Sequence, residues 1–440
     1  MKGNTFTMEK LSTQPYKGTR DFYPRDMKLR NWFFGVIRNA LETAAFDEYN
    51  GPMLESLDLY IAKSGEEIAN EQTYNFTDRG GRRLAVRPEM TPTVARLVAA
   101  KMGELNFPLK WFSIPNLYRY ERPQRGRLRE HWQVNVDIFG CDTFDADLEV
   151  ISTAIMLLRA FGADSSMFKM HINNRRFFND VIATIAGTDA EGSRKVSKVV
   201  DRKNKIPREA YVTEMKNLGL DDEKIEKIDS LYTMSVDQAT SLCPDSVGSA
   251  ELLQLFSALR ECKLDKYCVF DFGIIRGLDY YTGTVFEMFD EAPENNRAMF
   301  GGGRYDNLVG LFVKNTNISG VGFGFGDVTL ENFLVTHDLI PDIYAQSTKV
   351  LVTRFDDVPY AKYADTVDKL REAGIVSSVY VGTKKFGKQI DYAVKENYTH
   401  VVILGATEVV QGTVKIKDLA THEEKTIEYY ELANFFKKRK

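Results

Sequence analysis

Between Tyr118 and Ile138 the chain sets an arginine-dense turn directly before a strongly alternating strand. The turn, Tyr118-Arg119-Tyr120-Glu121-Arg122-Pro123-Gln124-Arg125-Gly126-Arg127-Leu128-Arg129-Glu130, holds five arginines within eleven residues around a Pro–Gly pair. In the strand, Gln133, Asn135 and Asp137 alternate with Trp132, Val134, Val136 and Ile138. Side chains two apart share a face, so the polar three point one way and the apolar four the other. Three polar groups on one sheet face can line a polar ligand pocket.

Arginine forks bind phosphate oxygens bidentately and stack on flat rings. The turn could therefore hold a nucleotide triphosphate, RNA phosphates, or both, and it could equally be a solvated hairpin tip. Two further segments carry similar chemistry. Arg87-Pro88-Glu89-Met90-Thr91 stands at a strand-to-helix transition, and Arg276-Gly277-Leu278-Asp279-Tyr280-Tyr281-Thr282-Gly283 precedes a strand. Acidic groups there can receive an ammonium, and arginines a carboxylate and phosphates. The chain has no GxxxxGK[ST] loop and no GxGxxG opening a βαβ unit. Gly322-Phe323-Gly324-Phe325-Gly326 is glycine-rich, but its context is wrong for a dinucleotide fingerprint.

The chain has 440 residues, enough for two or three domains. A net charge of -4 gives no global nucleic-acid signature, so RNA contact must come from local basic patches. The four cysteines form no CxxC pair and the five histidines no HExxH motif, so zinc is not expected. With no signal-peptide pattern and no membrane-length apolar run, a cytoplasmic location is expected.

Leu29, Trp32, Phe33, Val36, Ile37, Ala40 and Leu41 recur at helical spacing and read as one core-packing face. Residues 83–175 read as strands and one helix, and 176–255 as a helical insertion. In that insertion Arg194, Lys195, Lys198, Arg202, Lys203, Lys205 and Arg208 crowd one stretch, opposed in sequence only by Asp201. This stretch could touch a phosphate backbone or form a solvated helix face. Strand-like sequence returns at 267–274 and 284–289. A glycine-rich turn is expected at Gly301-Gly302-Gly303, then a strand and helix near 320–335. Residues 339–348 read as a linker. Beyond it, three strands alternate with helices and two more strand-like segments and a terminal helix close the chain, implying a small α/β domain with a mainly parallel core sheet.

Taken in order, Arg87–Thr91, Arg119–Asp137 and Arg276–Thr284 resemble the histidyl-tRNA synthetase family of class II aminoacyl-tRNA synthetases. Tyr118–Pro123 is similar to class II motif 2, and Arg276–Tyr281 to that family's histidine signature. Gly302-Gly303-Arg304-Tyr305-Asp306 is typical of the family, and Pro52 resembles the motif 1 proline at its dimer interface. The resemblance covers nearly the whole chain. It implies an α+β class II catalytic core over 1–338, an antiparallel sheet flanked by helices with an insertion at about 176–255. An α/β anticodon-binding domain would follow at 349–440. The insertion and Asp137 look closer to the eukaryotic-like branch.

The resemblance also implies roles. Arg119 matches the arginine on the α-phosphate of ATP and Glu121 the reader of the adenine amino edge, while Arg127 and Arg129 look placed for the outer phosphates and the loop. Glu89, Thr91 and Gln133 match the holders of histidine's α-amino group. Asp137 and Tyr281, with Tyr280 beside them, match the imidazole site. Arg276 matches the arginine near the α-phosphate and the histidine carboxylate. Arg122 and Gln124 match loop positions at the tRNA acceptor end. Within the last domain, Lys384–Gln389 is an RNA-contact candidate or a plain helix N-terminus. Magnesium would come with ATP, held mostly by phosphate and water rather than an all-protein cage. The expected partners are histidine, ATP, tRNA-His and a second copy of the chain.

One position departs from the family. Motif 3 usually ends Gly-x-Glu-Arg-Leu, whereas Gly326-Asp327-Val328-Thr329-Leu330 puts Thr329 where a γ-phosphate arginine is expected. Either another cation, Arg127 or Arg129 first, covers that phosphate, or ATP binding is impaired. An impaired paralogue acting as a histidine-sensing or regulatory subunit is the rival implication.

Overall fold

The computed structural model describes residues 11–61, 72–203, 206–275, 280–295, 297–313, 316–344 and 348–437. The chain divides into two compact units, residues 1–341 and 342–440.

The first unit is built on a sheet that joins nine strands among the described residues. Its centre is antiparallel. Glu130–Phe139 pairs with Leu109–Ser113 on one side and Gly320–Gly326 on the other. Ala298–Tyr305, Thr284–Asp290 and Phe168–Asn174 follow, all antiparallel. The short outer pairings, Asp47–Glu48 and Cys268–Phe270, are parallel. Val134, Val136 and Ile138 are buried on one face with Phe33, Phe34, Ile37 and Leu41 of the helix Pro24–Thr43. The helix Phe144–Ala160 joins the same core through Val150, Ile151, Ile155 and Leu158. Burying these side chains is the main stabilising term at about 1.5–3 kcal/mol each. The opposite face is left to Gln133, Asn135 and Asp137.

Two sequence readings are corrected. Residues 83–175 contain two helices, Thr91–Lys101 and Phe144–Ala160. The second is buried on so much of its surface that its apolar residues run together and blur the helical period. Gly301-Gly302-Gly303 is not a turn but lies inside the strand Ala298–Tyr305. A Cβ on Gly302 would stand 2.1 Å from the Gly322 carbonyl oxygen, so glycine serves close strand approach there. In the second unit the core strands are parallel, as expected, and the two closing strands make the whole sheet mixed. Lys349–Val352 pairs parallel with Val376–Val379 and His400–Ile403, but Thr413–Asp418 and Glu424–Glu428 add antiparallel.

The insertion is helical from Arg175 to Glu261, with short breaks among the described residues. Its basic stretch is partly spent on internal pairs. Lys203 and Arg208 both meet Asp229, and Arg202 meets Glu214. Lys205 lies outside the described residues. The counter-charges come from later helices, so only folding reveals them.

Candidate active site

The polar strand face is open because its neighbour is made of glycine. In the register Gly322 stands opposite Asp137 and Gly324 opposite Asn135. A Cβ on Gly322 would fall 2.3 Å from Asp137 Oδ1, and one on Gly324 would fall 2.7 Å from Gln133 Cδ. Alternate glycines thus clear space for the side chains of the adjacent strand. The Phe323 and Phe325 rings between them face the core.

Asp137 is 3 % exposed. The Tyr305 hydroxyl donates to its Oδ1. Its Oδ2 is buried with no hydrogen-bond partner. Burial pushes the Asp137 carboxyl up to about 7, against the lowering effect of the Tyr305 bond. The ring of Tyr305 lies 5.9 Å from that of Tyr280. Tyr280 is 4.8 Å from Tyr281 by ring centres and donates from its hydroxyl to Glu89 Oε2 at 3.4 Å. The fold therefore links Glu89, Tyr280, Tyr281 and Asp137, which are far apart in sequence. Gln133 joins them through its place on the same strand face. Thr91 opens the helix Thr91–Lys101, two residues beyond Glu89. Arg276 lies outside the described residues.

Two tyrosines at this site carried no role in the sequence reading. Tyr305 sits in the Gly-Gly-Arg-Tyr-Asp run, the only signal that marked it. Tyr49 is half-buried with its hydroxyl fully covered, and its phenol is pushed well up, first by burial and then by the Asp137 charge. Nothing in its local sequence pointed to the site.

Beside this cluster runs a cleft of ≈ 920 Å³, lined by Arg119, Glu121, Gln124, Arg125 and Arg127 on one wall. Gln133 and Thr329 also line it, and Glu287, Phe289, Asn295, Arg297 and Phe300 do so without having been singled out from sequence. Arg119 Nε donates to the Pro88 carbonyl at 2.9 Å, which ties the arginine turn to the Glu89 segment. Arg127 Nε meets Glu121 Oε2 at 2.8 Å, so two expected nucleotide contacts are paired with each other. His131, also in the lining, is pushed down to about 3 by burial and then by Arg119, Arg20 and Arg127, and stays neutral.

Arg129 is turned elsewhere. Its Nε donates to the Glu121 carbonyl at 3.0 Å and its Nη1 to the Tyr16 hydroxyl at 2.6 Å. Its guanidinium stacks over Tyr120 at 4.2 Å. Arg122 is exposed on the turn. The Thr329 hydroxyl is bonded to the carbonyls of Met299 and Gly326 at 2.7 and 3.0 Å. Asp327, two residues earlier, accepts from Arg20 at 2.6 Å and from the Trp132 amide at 3.0 Å. Motif 3 here anchors the N-terminal segment and the start of the polar strand.

The sequence profile of the family described as Histidyl-tRNA synthetase matches residues 18–327. The chain belongs to the histidyl-tRNA synthetase family. A profile described as Anticodon binding domain matches residues 349–439. A histidine--tRNA ligase of Leptospira biflexa is 44 % identical over 425 residues, 96 % of this chain and 97 % of that protein. One from Thermoplasma volcanium is 35 % identical over 97 % of this chain and 99 % of its own length. The crystal structure of histidyl-tRNA synthetase from Nostoc superposes with a TM-score of 0.78 at 24 % identity, covering 98 % of this chain and all of that one. The architecture is thus the family's class II catalytic domain, a mixed sheet with flanking helices, followed by an anticodon-binding domain.

Proposed function

We propose that this chain is a histidine–tRNA ligase, which joins histidine to ATP as histidyl-adenylate with release of pyrophosphate. It then transfers histidine to the 3′ end of tRNA-His. The observation that carries this reading is Asp137. A buried carboxylate oxygen without a partner, on a glycine-cleared face beside an arginine-lined cleft, is an acceptor waiting for a donor. A ring N–H of neutral imidazole supplies one and leaves nothing unpaired. Ligands without that N–H strand the oxygen, which gives the selectivity.

In this reading Glu89, Thr91 and Gln133 receive the ammonium of histidine. Tyr280 and Tyr281 complete its pocket. The carboxylate of histidine attacks the α-phosphorus of ATP while Arg119 neutralises the charge that builds there. Arg276 would share that task by its place in the family motif. Glu121 reads the adenine amino edge once its pair with Arg127 opens. Arg129, committed to Tyr16 and Tyr120, acts by bracing the turn. Magnesium brought with the nucleotide would screen the charge of the outer phosphates. Glu287 lies on the cleft wall where that ion would sit.

Arg122 and Gln124 would meet the acceptor end of the tRNA, and residues 349–439 its anticodon. A homodimer through the motif 1 segment is part of the proposal. It is supported by Pro52 at the surface and by Met53 and Leu54, each 45 % exposed. No helix among the described residues is long and apolar enough to cross a membrane, and a cytoplasmic location is proposed. The test is histidine-dependent ATP–pyrophosphate exchange followed by charging of tRNA with labelled histidine. No exchange at saturating ATP and magnesium discards the reading.

A further inference from the structure

Four described arginines line the cleft: Arg119, Arg125, Arg127 and Arg297. They differ in what holds them. Arg127 is neutralised by Glu121, and Arg119 is fixed to the Pro88 carbonyl beside the histidine cluster. The other two cross the mouth of the cleft in opposite directions. Arg125 of the motif 2 turn donates through Nη2 to Asn295 Oδ1 at 3.2 Å. Arg297 of the facing wall donates through Nη2 to Gln124 Oε1 at 3.1 Å. Each bond joins a full positive charge to a neutral amide, at a length beyond that of a charge-assisted pair. An anion entering the mouth can replace either amide with gain.

The two amides are not equivalent. Asn295 is fixed by Asp290 Oδ2 at 2.6 Å and Thr336 Oγ1 at 3.1 Å. Gln124 belongs to the turn itself, where its backbone pairs with Arg127 in both directions. Arg297 therefore gives up its partner more readily. The neighbouring carboxylate of Asp290 is occupied by His337 at 2.7 Å and by Asn295. Glu294 on the same segment is exposed to solvent.

Thr329 carries no charge, and its hydroxyl is bound to two carbonyls. The turn also sits close above it. Gly126 has φ +75°, and a Cβ there would stand 3.7 Å from Thr329 Cγ2 and 4.0 Å from Asn332 Nδ2.

We propose that Arg297, faced by Arg125, binds the terminal phosphates of the nucleotide and so replaces the cation missing at Thr329. This rests on the reading of the cleft as the ATP site. The nucleotide would exchange the two amide contacts for phosphate contacts and draw the two walls together.

The test compares ATP with AMP, which lacks the outer phosphates, by calorimetric titration of the full chain with magnesium. Arg297→Ala should weaken ATP about tenfold or more, the size expected of a charge-assisted contact. AMP and histidine affinities should not change, and Arg297→Lys should recover part of the loss. Gln124→Ala removes the same contact in the free protein but keeps the charge, so its ATP affinity should hold or rise. Equal loss of ATP and AMP in Arg297→Ala, or no loss of either, overturns the proposal. If the unaltered chain binds neither nucleotide, the reading of the cleft fails first and this inference with it.

Discussion

The hydroxyl of Tyr305 donates to Oδ1 of Asp137 and leaves Oδ2 buried without a partner. The two residues are 168 positions apart and meet across the strand Gly320–Gly326, where Tyr305 stands opposite Gly320 and Asp137 opposite Gly322. The tyrosine holds one oxygen and so aims the other. A buried carboxylate with half its capacity unmet costs free energy in the empty protein, and a ligand that meets it recovers that cost.

Asp137→Asn should raise the KM for histidine in pyrophosphate exchange by about tenfold to a hundredfold, the range for a hydrogen bond to a charged group. The affinity for AMP should stay as it was, because Asp137 is not part of the cleft lining. A variant that lost both equally would show that Asp137 supports the fold rather than the ligand.

The raised Asp137 carboxyl sets a pH dependence with a definite sign. Its value is about 7 in the folded chain, against about 3.9 for a free aspartate. Between those values the folded state holds a proton that the unfolded state has lost. This group's contribution to stability is therefore present at low pH and disappears as pH rises through about 7. Thermal melts from pH 5 to pH 8 should show a loss for the wild type that is smaller in Asp137→Asn. Histidine affinity should move the other way, falling below about pH 7 as the acceptor is protonated, with Asp137→Asn flattening that limb. Identical profiles for the two proteins would rule this out.

Gly322→Ala puts a methyl 2.3 Å from Asp137 Oδ1 and 2.4 Å from the Val136 carbonyl oxygen. Neither strand can yield easily, so roughly 1–3 kcal/mol of stability should be lost. Histidine binding should fall further than stability explains, because the carboxylate is displaced. A variant with unchanged melting and unchanged KM would mean that the strand moves freely.

Arg304 and Asp147 form a buried bidentate pair, with side chains 6 % and 4 % exposed. Arg304 also donates to the carbonyls of Cys141 and Thr143 at 3.0 and 2.9 Å. Asp147→Ala strands the guanidinium and should cost roughly 3–5 kcal/mol in denaturant unfolding. Replacing both residues with apolar side chains should cost much less, which separates an uncompensated charge from lost packing.

Much of this molecule was legible before folding. The period-two row of Gln133, Asn135 and Asp137 announced a strand with a polar face, because alternation is local geometry. The arginine turn read as a candidate anion site or a solvated hairpin tip from its residue types alone. The helix Pro24–Thr43 and the alternating elements after residue 349 were readable from spacing alone. What misled was context. The glycines at 301–303 look like a turn until Gly322 is seen to press against Gly302. The basic stretch near 202–208 looks free until Asp229 and Glu214 arrive from other helices.

The sequence by itself determined the residue types, their order and the faces they occupy, since each depends on neighbours within a few positions of chain. It could name Asp137 and the arginines as candidates. Only the tertiary structure decided which of them are at liberty to bind. Arg129 is committed to Tyr16, Arg127 to Glu121, and Thr329 to two carbonyls, whereas Asp137 keeps an open oxygen and Arg297 faces a neutral amide. The physical reason is that hydrogen bonds and ion pairs saturate. A group's remaining capacity depends on partners brought from distant parts of the chain, and no local pattern records them.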